Sequence, residues 1–131
     1  MPVEIKVAAF GAVLLLIQIL IATQLKTSQY GAKWNLSARD EGVAPPSPVT
    51  GRMIRAQANF EETFPIAIVA LLGVVLANKT SASTALGAWI WLGARIVYVG
   101  LYAAGIPVVR TLCWLVSIVG LAMVIWPLLF G

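Results

Sequence analysis

Four long apolar runs dominate the chain, and its polar positions fall between them or at the margins of two of them. The first run, Val7 to Leu25 (VAAFGAVLLLIQILIATQL), approaches the roughly 20 residues an α-helix needs to cross a hydrocarbon core about 30 Å thick. Its flank mixes Glu4 with Lys6, and no small-residue A-x-A site follows Thr23-Gln24-Leu25, so a retained span is expected rather than a cleaved leader. The second run, Phe64 to Ala77, is too short to cross by itself. It reaches spanning length only if its helix starts near Arg52 and takes in the polar stretch RMIRAQANFEET, with Pro65 as a kink point. A turn near Asn78–Ser83 leads to the third run, about Thr84 to Ala104, which carries Arg95 in its interior and is ended or bent by Gly105 and Pro107. The fourth, about Leu112 to Phe130, is uncharged throughout. Spans are therefore expected at residues 5–26, 52–77, 83–105 and 110–130. Residues 27–51 form a polar connection that includes Asn35, Ser37, Arg39, Asp40 and Glu41. Its Pro45, Pro46 and Pro48 fix φ and lack a donor, which predicts an extended or turned stretch. The expected fold is all-α: a single-domain, integral membrane four-helix bundle.

Composition points the same way. Of 131 residues, 60% are apolar and 11% charged, whereas a soluble domain carries about 45–50% and about 25%. Too few charges remain to coat a water-facing surface, so membrane lipids are the expected surroundings. The net charge of +4 is not gathered into basic patches interleaved with aromatics, and no nucleic-acid partner is expected. There is one cysteine, Cys113, and no histidine. A disulfide within one chain, a histidine-ligated metal site and a histidine-based triad are thereby excluded, and no metal is expected. Lys26, Lys33, Arg39, Arg52, Arg55 and Arg110 lie on the side of the first and third connections, against only Lys6 and Lys79 opposite. The positive-inside bias places those two connections in the cytoplasm and both termini outside.

Charged groups within a membrane are costly and tend to face the bundle interior, pair, and mark function. At 100° per residue, Arg52, Arg55, Asn59 and Glu62 fall within about 80° of one another, a polar stripe down the start of the second span. Arg95, Tyr98 and Tyr102 form a second stripe on the third, continued by Trp91 and Gly105, and Arg110 lies just beyond, at the same membrane face as Arg52. Plainer readings stand beside these. Arg52 suits a snorkelling interfacial arginine; Asn59 and Glu62 suit interhelical hydrogen bonding. Arg95 suits a structural counter-ion of Glu62, and the tyrosines suit an aromatic belt. Trp34, Trp89 and Trp126 fit interface anchors; Met53, Met123 and Cys113 fit packing. If the stripes converge, they offer several guanidinium groups, one carboxylate, the amides of Gln57 and Asn59, and two phenols. Guanidinium recognises carboxylate or phosphate bidentately, and a carboxylate among arginines suits an ammonium. The implied ligand is small and zwitterionic with a negative balance.

The run RMIRAQANFEETFP, Arg52 to Pro65, resembles the second-helix signature of the MAPEG family, the membrane-associated proteins in eicosanoid and glutathione metabolism. Its pattern is nearest to the leukotriene-forming glutathione synthase branch, with R-A-Q-x-N-x-x-E-x-x-P. The run ARIVYVGLY, Ala94 to Tyr102, is similar to that branch's A-R-x-x-Y-x-x-x-Y. Four spans, the long first connection with its Pro-Pro pair, and the chain length agree with this. The resemblance implies a homotrimer with glutathione as co-substrate between neighbouring subunits near the cytoplasmic side. It implies that Arg55, Asn59 and Glu62 hold the γ-glutamyl end and backbone, with Glu62 on the ammonium and Gln57 assisting. Tyr98 and Tyr102 would contact the peptide, Arg95 matches a family arginine of the same helix, and Arg52 and Arg39 join the binding set. The family's catalytic arginine stands at the junction of the third and fourth helices, where Arg110 is the candidate and Thr111 offers a hydroxyl. Arg110 follows Tyr102 by eight residues, a register that varies in the family, and Gly105 and Pro107 alter the local geometry. The resemblance implies a glutathione transferase, with or without glutathione-dependent peroxidase activity, acting on lipophilic electrophiles, in an expected bacterial inner membrane. The alternative is a non-catalytic, lipid-binding or scaffold member of the family. A small four-span multidrug exporter would want a membrane-embedded carboxylate in the first span, where only Gln18 stands.

Overall fold

Each apolar run is one continuous helix, and the helix boundaries fall on residues whose backbone chemistry sets them. The computed structural model describes residues 1–40 and 42–131, so Glu41 of the first connection lies outside the described residues. The elements are α1 (Val3–Tyr30), α2 (Ala32–Asn35), α3 (Pro48–Leu76), α4 (Ala82–Ala104) and α5 (Pro107–Phe130). The shortest of the four long helices, α4, has 23 residues, or about 35 Å at about 1.5 Å per residue, enough to cross a bilayer core. All four are long and apolar enough to span a membrane.

The first connection is shorter than residues 27–51. Hydrophobicity fades after Leu25, but nothing stops the helix until Gly31, which takes φ 95°, so α1 runs on to Tyr30. Residues Ala32–Asn35 form one further helical turn. At the far side, Pro48 opens α3 instead of forbidding it. A proline in the first turn gives up an N–H that would have had no partner, and Ser47 caps the helix by accepting from the Thr50 amide. Residues 42–47 are non-helical, including Pro45 and Pro46. Gln29 straps this stretch to the end of α1: its Nε2 donates to the Pro45 carbonyl at 3.0 Å and its Oε1 accepts from the Ser47 amide at 2.8 Å. The Tyr30 hydroxyl donates to the Ala44 carbonyl at 2.7 Å. Helix α3 passes through Pro65 without interruption.

Ser81 and Thr84 form a capping box at the start of α4. Gly105, in the left-handed region at φ 75°, ends α4, and Pro107 opens α5 one residue after the turn. Helices α3 and α4 each touch every other long helix, while α1 and α5 do not touch among the described residues. Helices α3 and α4 are therefore the central pair, and their polar ends lie together at one end of the bundle. Phe60, Phe64 and Trp91 form an aromatic core, with the Phe64 and Trp91 rings stacked at 6.1 Å. Gly11 lets α1 close on it; a Cβ there would stand 2.8 Å from Phe64. Near the chain's start, the buried Glu4 accepts from the Thr84 hydroxyl at 2.9 Å and pins α1 to α4.

The outer faces carry exposed Leu16, Leu20, Val69, Val97 and Val119, a surface that fits acyl chains as solvent. Without a hydrophobic drive between helices in lipid, association rests on close packing over small residues. The α4–α5 crossing shows this at Gly87 and Gly120. A Cβ on either would lie 2.6 Å from the other's carbonyl oxygen, and backbone cannot yield as a side chain can. We expect Gly120→Ala to lower stability by at least about 1–3 kcal/mol through overpacking, read as thermal unfolding in detergent. Gly93, with nothing within 4 Å of its built Cβ, is the comparison: Gly93→Ala should be neutral or stabilising by up to about 1 kcal/mol. Equal effects at the two sites would contradict this packing.

Candidate functional site

Pro48 and Ser47 set where α3 begins, which places the polar stripe in its opening turns. Arg52, in the first turns, donates from Nε to the Ala103 carbonyl at 3.0 Å. That carbonyl is one of those α4 leaves without an intrahelical partner at its C-terminus. Arg52 therefore closes the end of α4, and the bond brings the first and third connections to the same end of the bundle.

Arg95 is 1% exposed and lies at the centre of the polar region. Its Nη2 donates to Asn59 Oδ1 at 2.9 Å. Its Cζ stands 4.4 Å from the Tyr98 ring centroid and 5.3 Å from that of Phe60, within the range of cation–π attraction. Nε and Nη1 have no acceptor among the described residues. The expected counter-ion, Glu62, does not fill that place. It lies exposed on the outer flank of the stripe, while Asn59, one turn nearer the start of α3, points inward between the helices. Tyr98 is buried, so it does not sit in an interfacial aromatic belt.

Beyond Arg95 the tyrosine stripe continues. Tyr98 and Tyr102 meet edge to face at 5.6 Å. Two guanidinium groups converge on the Tyr102 ring: Arg110 from α5 at 4.4 Å and Arg55 from α3 at 5.9 Å. Asn59, Tyr98, Arg110, Thr111 and Trp114 line a polar cavity of ≈ 260 Å³ among α3, α4 and α5. The larger cavities are apolar grooves on the outer faces, such as that between α3 and α5 lined by Pro65, Val69 and Leu128.

The fold thus brings together Arg55, Asn59, Arg95, Tyr98, Tyr102, Arg110 and Thr111, from three helices. The Thr111 hydroxyl donates back to the Pro107 carbonyl at 3.2 Å, although the residue lines the cavity. Other candidates lie apart within one chain. Gln57 donates to Glu61 at 2.9 Å, on the side of α3 turned away from the stripe. Glu62 is exposed, and Arg39 is held in the first connection by Asn35 and over the Trp34 ring at 4.9 Å. Trp114 escaped the reading of the sequence. The available signal was its spacing: four residues after Arg110, it shares that residue's face of α5.

These features define a class: a four-helix integral membrane protein with an arginine-lined polar cavity at one end of an otherwise apolar bundle. The MAPEG family model matches residues 7–130, and the chain belongs to this family. No curated protein and no solved structure matches it.

The Asn59–Arg95 contact yields an expected outcome. Asn59→Leu removes the hydrogen-bond acceptor of a buried cation and should destabilise the protein by about 1.5–3 kcal/mol. Asn59→Asp, which keeps an acceptor and adds the opposite charge, should lose less. Detergent-solubilised unfolding curves compare the two; a leucine variant as stable as the parent would show that Arg95 does not depend on Asn59.

Proposed function

We propose that the protein is a membrane-bound glutathione transferase that conjugates the glutathione thiolate to lipophilic electrophiles. The observation that carries this reading is the cavity holding Arg110 beside Asn59 and Tyr98, with Arg55 and Arg110 both placed on the Tyr102 ring. An aromatic face holds a guanidinium without neutralising it, so both positive charges stay available to an anionic ligand. Glutathione carries two carboxylates, one ammonium and one thiol, which suits such a site. A cysteine thiol has a pKa near 8.5, and a close cation lowers it. Arg110 would stabilise the thiolate, which attacks an electrophile arriving from the bilayer. Arg55 and Asn59 would hold the peptide's polar end. No metal takes part in this reading.

Membrane electrostatics supports two further parts of the proposal. The end bearing Arg52, Arg55 and Arg110 faces the cytoplasm, with both termini outside. Arg55 and Glu62 are exposed on a spanning helix of the single chain, where charge against hydrocarbon is costly. Burial against neighbouring copies in a homotrimer relieves that cost and would complete the site with residues from the next subunit, Arg39 included. A non-catalytic, lipid-binding or scaffold role is the second reading. It draws on Arg52 and Arg95, whose hydrogen bonds hold helices together.

Purified protein with glutathione should show a thiolate absorbance and turn over a chlorodinitrobenzene-type electrophile. Binding without thiolate or turnover would leave the scaffold reading; no binding would remove glutathione altogether. Arg110→Ala should lower kcat by roughly a hundredfold, the scale of losing one transition-state charge stabiliser, with a smaller change in glutathione affinity. Equal losses in both would make Arg110 a binding group only.

A further inference from the structure

Tyr102 is placed by its neighbours more firmly than a plain ligand contact requires. It lies two turns beyond Arg95 on α4, half-buried, with its ring plane set by the edge-to-face contact with Tyr98 at 5.6 Å. Onto this one ring come guanidinium groups from two other helices, Arg55 from α3 and Arg110 from α5. Arg55 is exposed and Arg110 half-buried. Both stand near the end of the bundle, where long cationic side chains extend toward headgroups and water when nothing retains them. Two like charges drawn to one ring also repel. The negative face of an aromatic ring attracts each cation and offsets that repulsion without cancelling either charge, as a carboxylate would.

From this arrangement we infer that Tyr102 is a positioning residue. Its ring retains the guanidinium groups of Arg55 and Arg110 together at the cavity, at a spacing set by α4 and not by the arginines' own rotamers. The inference rests on the reading of Arg55 and Arg110 as the groups that meet glutathione. It assigns Tyr102 a role exerted through those arginines and carried by the ring face, distinct from a hydrogen bond of its hydroxyl to the peptide. The spacing then selects ligands with two anionic groups, a carboxylate for Arg55 and a thiolate for Arg110.

The test keeps ring size and removes ring charge. In the full-length protein, Tyr102→Phe serves as the reference, and phenylalanines carrying one, two and three ring fluorines are placed at the same position. Fluorination drains the negative face while leaving the ring's shape almost unchanged, so a packing role would not respond. We expect kcat and glutathione affinity to fall stepwise with fluorine number. The trifluoro variant should reach roughly a tenfold loss, within the two- to thirtyfold range of cation–π attraction, at unchanged melting temperature. Tyr102→Leu should lose at least as much. In an Arg110→Ala background the fluorine series should still weaken glutathione affinity through Arg55 but no longer change kcat, because the arginine through which the ring acts on the thiolate is gone. Flat behaviour across the series, while Arg110→Ala and Arg55→Ala still impair the protein, would overturn the inference and leave the glutathione reading standing. If neither arginine variant alters binding or turnover, that reading fails, and the inference with it.

Discussion

A guanidinium buried among membrane helices has to find acceptors and polarisable faces, because hydrocarbon supplies neither. Arg95 meets this requirement with Asn59 and with the rings of Tyr98 and Phe60. Much of the polar architecture follows from that. The hydrogen bond links α3 to α4 within the membrane and fixes their rotation, since Asn59 reaches Arg95 in only one phase of α3. With that phase set, Arg55 lies along the same face, and Arg52 meets the end of α4. Tyr98, held under Arg95, orients Tyr102, on which the outer arginines rest. The series of cations and rings runs from the interior to the end of the bundle without an acid among its contacts with the described residues.

The opposite end is built differently. There Glu4 and Thr84 join α1 to α4, and the Ser81 capping box starts α4. Between the two ends, close approach at Gly11, Gly87 and Gly120 brings helices together over backbone. In lipid, shape of this kind replaces the hydrophobic drive of a soluble core. The polar cavity therefore sits at the end of a scaffold held together by contacts separate from its own polar groups.

The polar stripes were legible because residues three, four and seven apart share a helix face. Arg52, Arg55, Asn59 and Glu62 thus group on one helix and Arg95, Tyr98 and Tyr102 on another from spacing alone. Periodicity places residues on faces but does not choose their partners. Glu62 and Asn59 are neighbours on one stripe, yet only Asn59 points between the helices, so charge complementarity alone named the wrong partner for Arg95. Gln57 looked like part of the amide pair by proximity in sequence, but its phase puts it beside Glu61. Pro48 read as a helix breaker, although a proline at the first helical position has no bond to break. Hydropathy fades at Leu25, whereas backbone geometry changes only at Gly31, so helix α1 outlasts its apolar run.

The sequence by itself determined four spans, their order, and the two helices that give up hydrophobicity for polar groups. Each of these is a local property: the length of an apolar run, or the angle between residues on one helix. Family membership was legible for the same reason, since its motifs are contiguous runs on α3 and α4. Only the tertiary structure decided that Arg52 caps α4 and that Asn59, not Glu62, serves Arg95. It alone brought Arg55 and Arg110 to a single tyrosine ring and added Trp114 to the cavity. Those outcomes depend on how far each helix is rotated against its neighbours. That rotation is set by glycine contacts and buried hydrogen bonds between residues distant in the chain, and no local pattern records it.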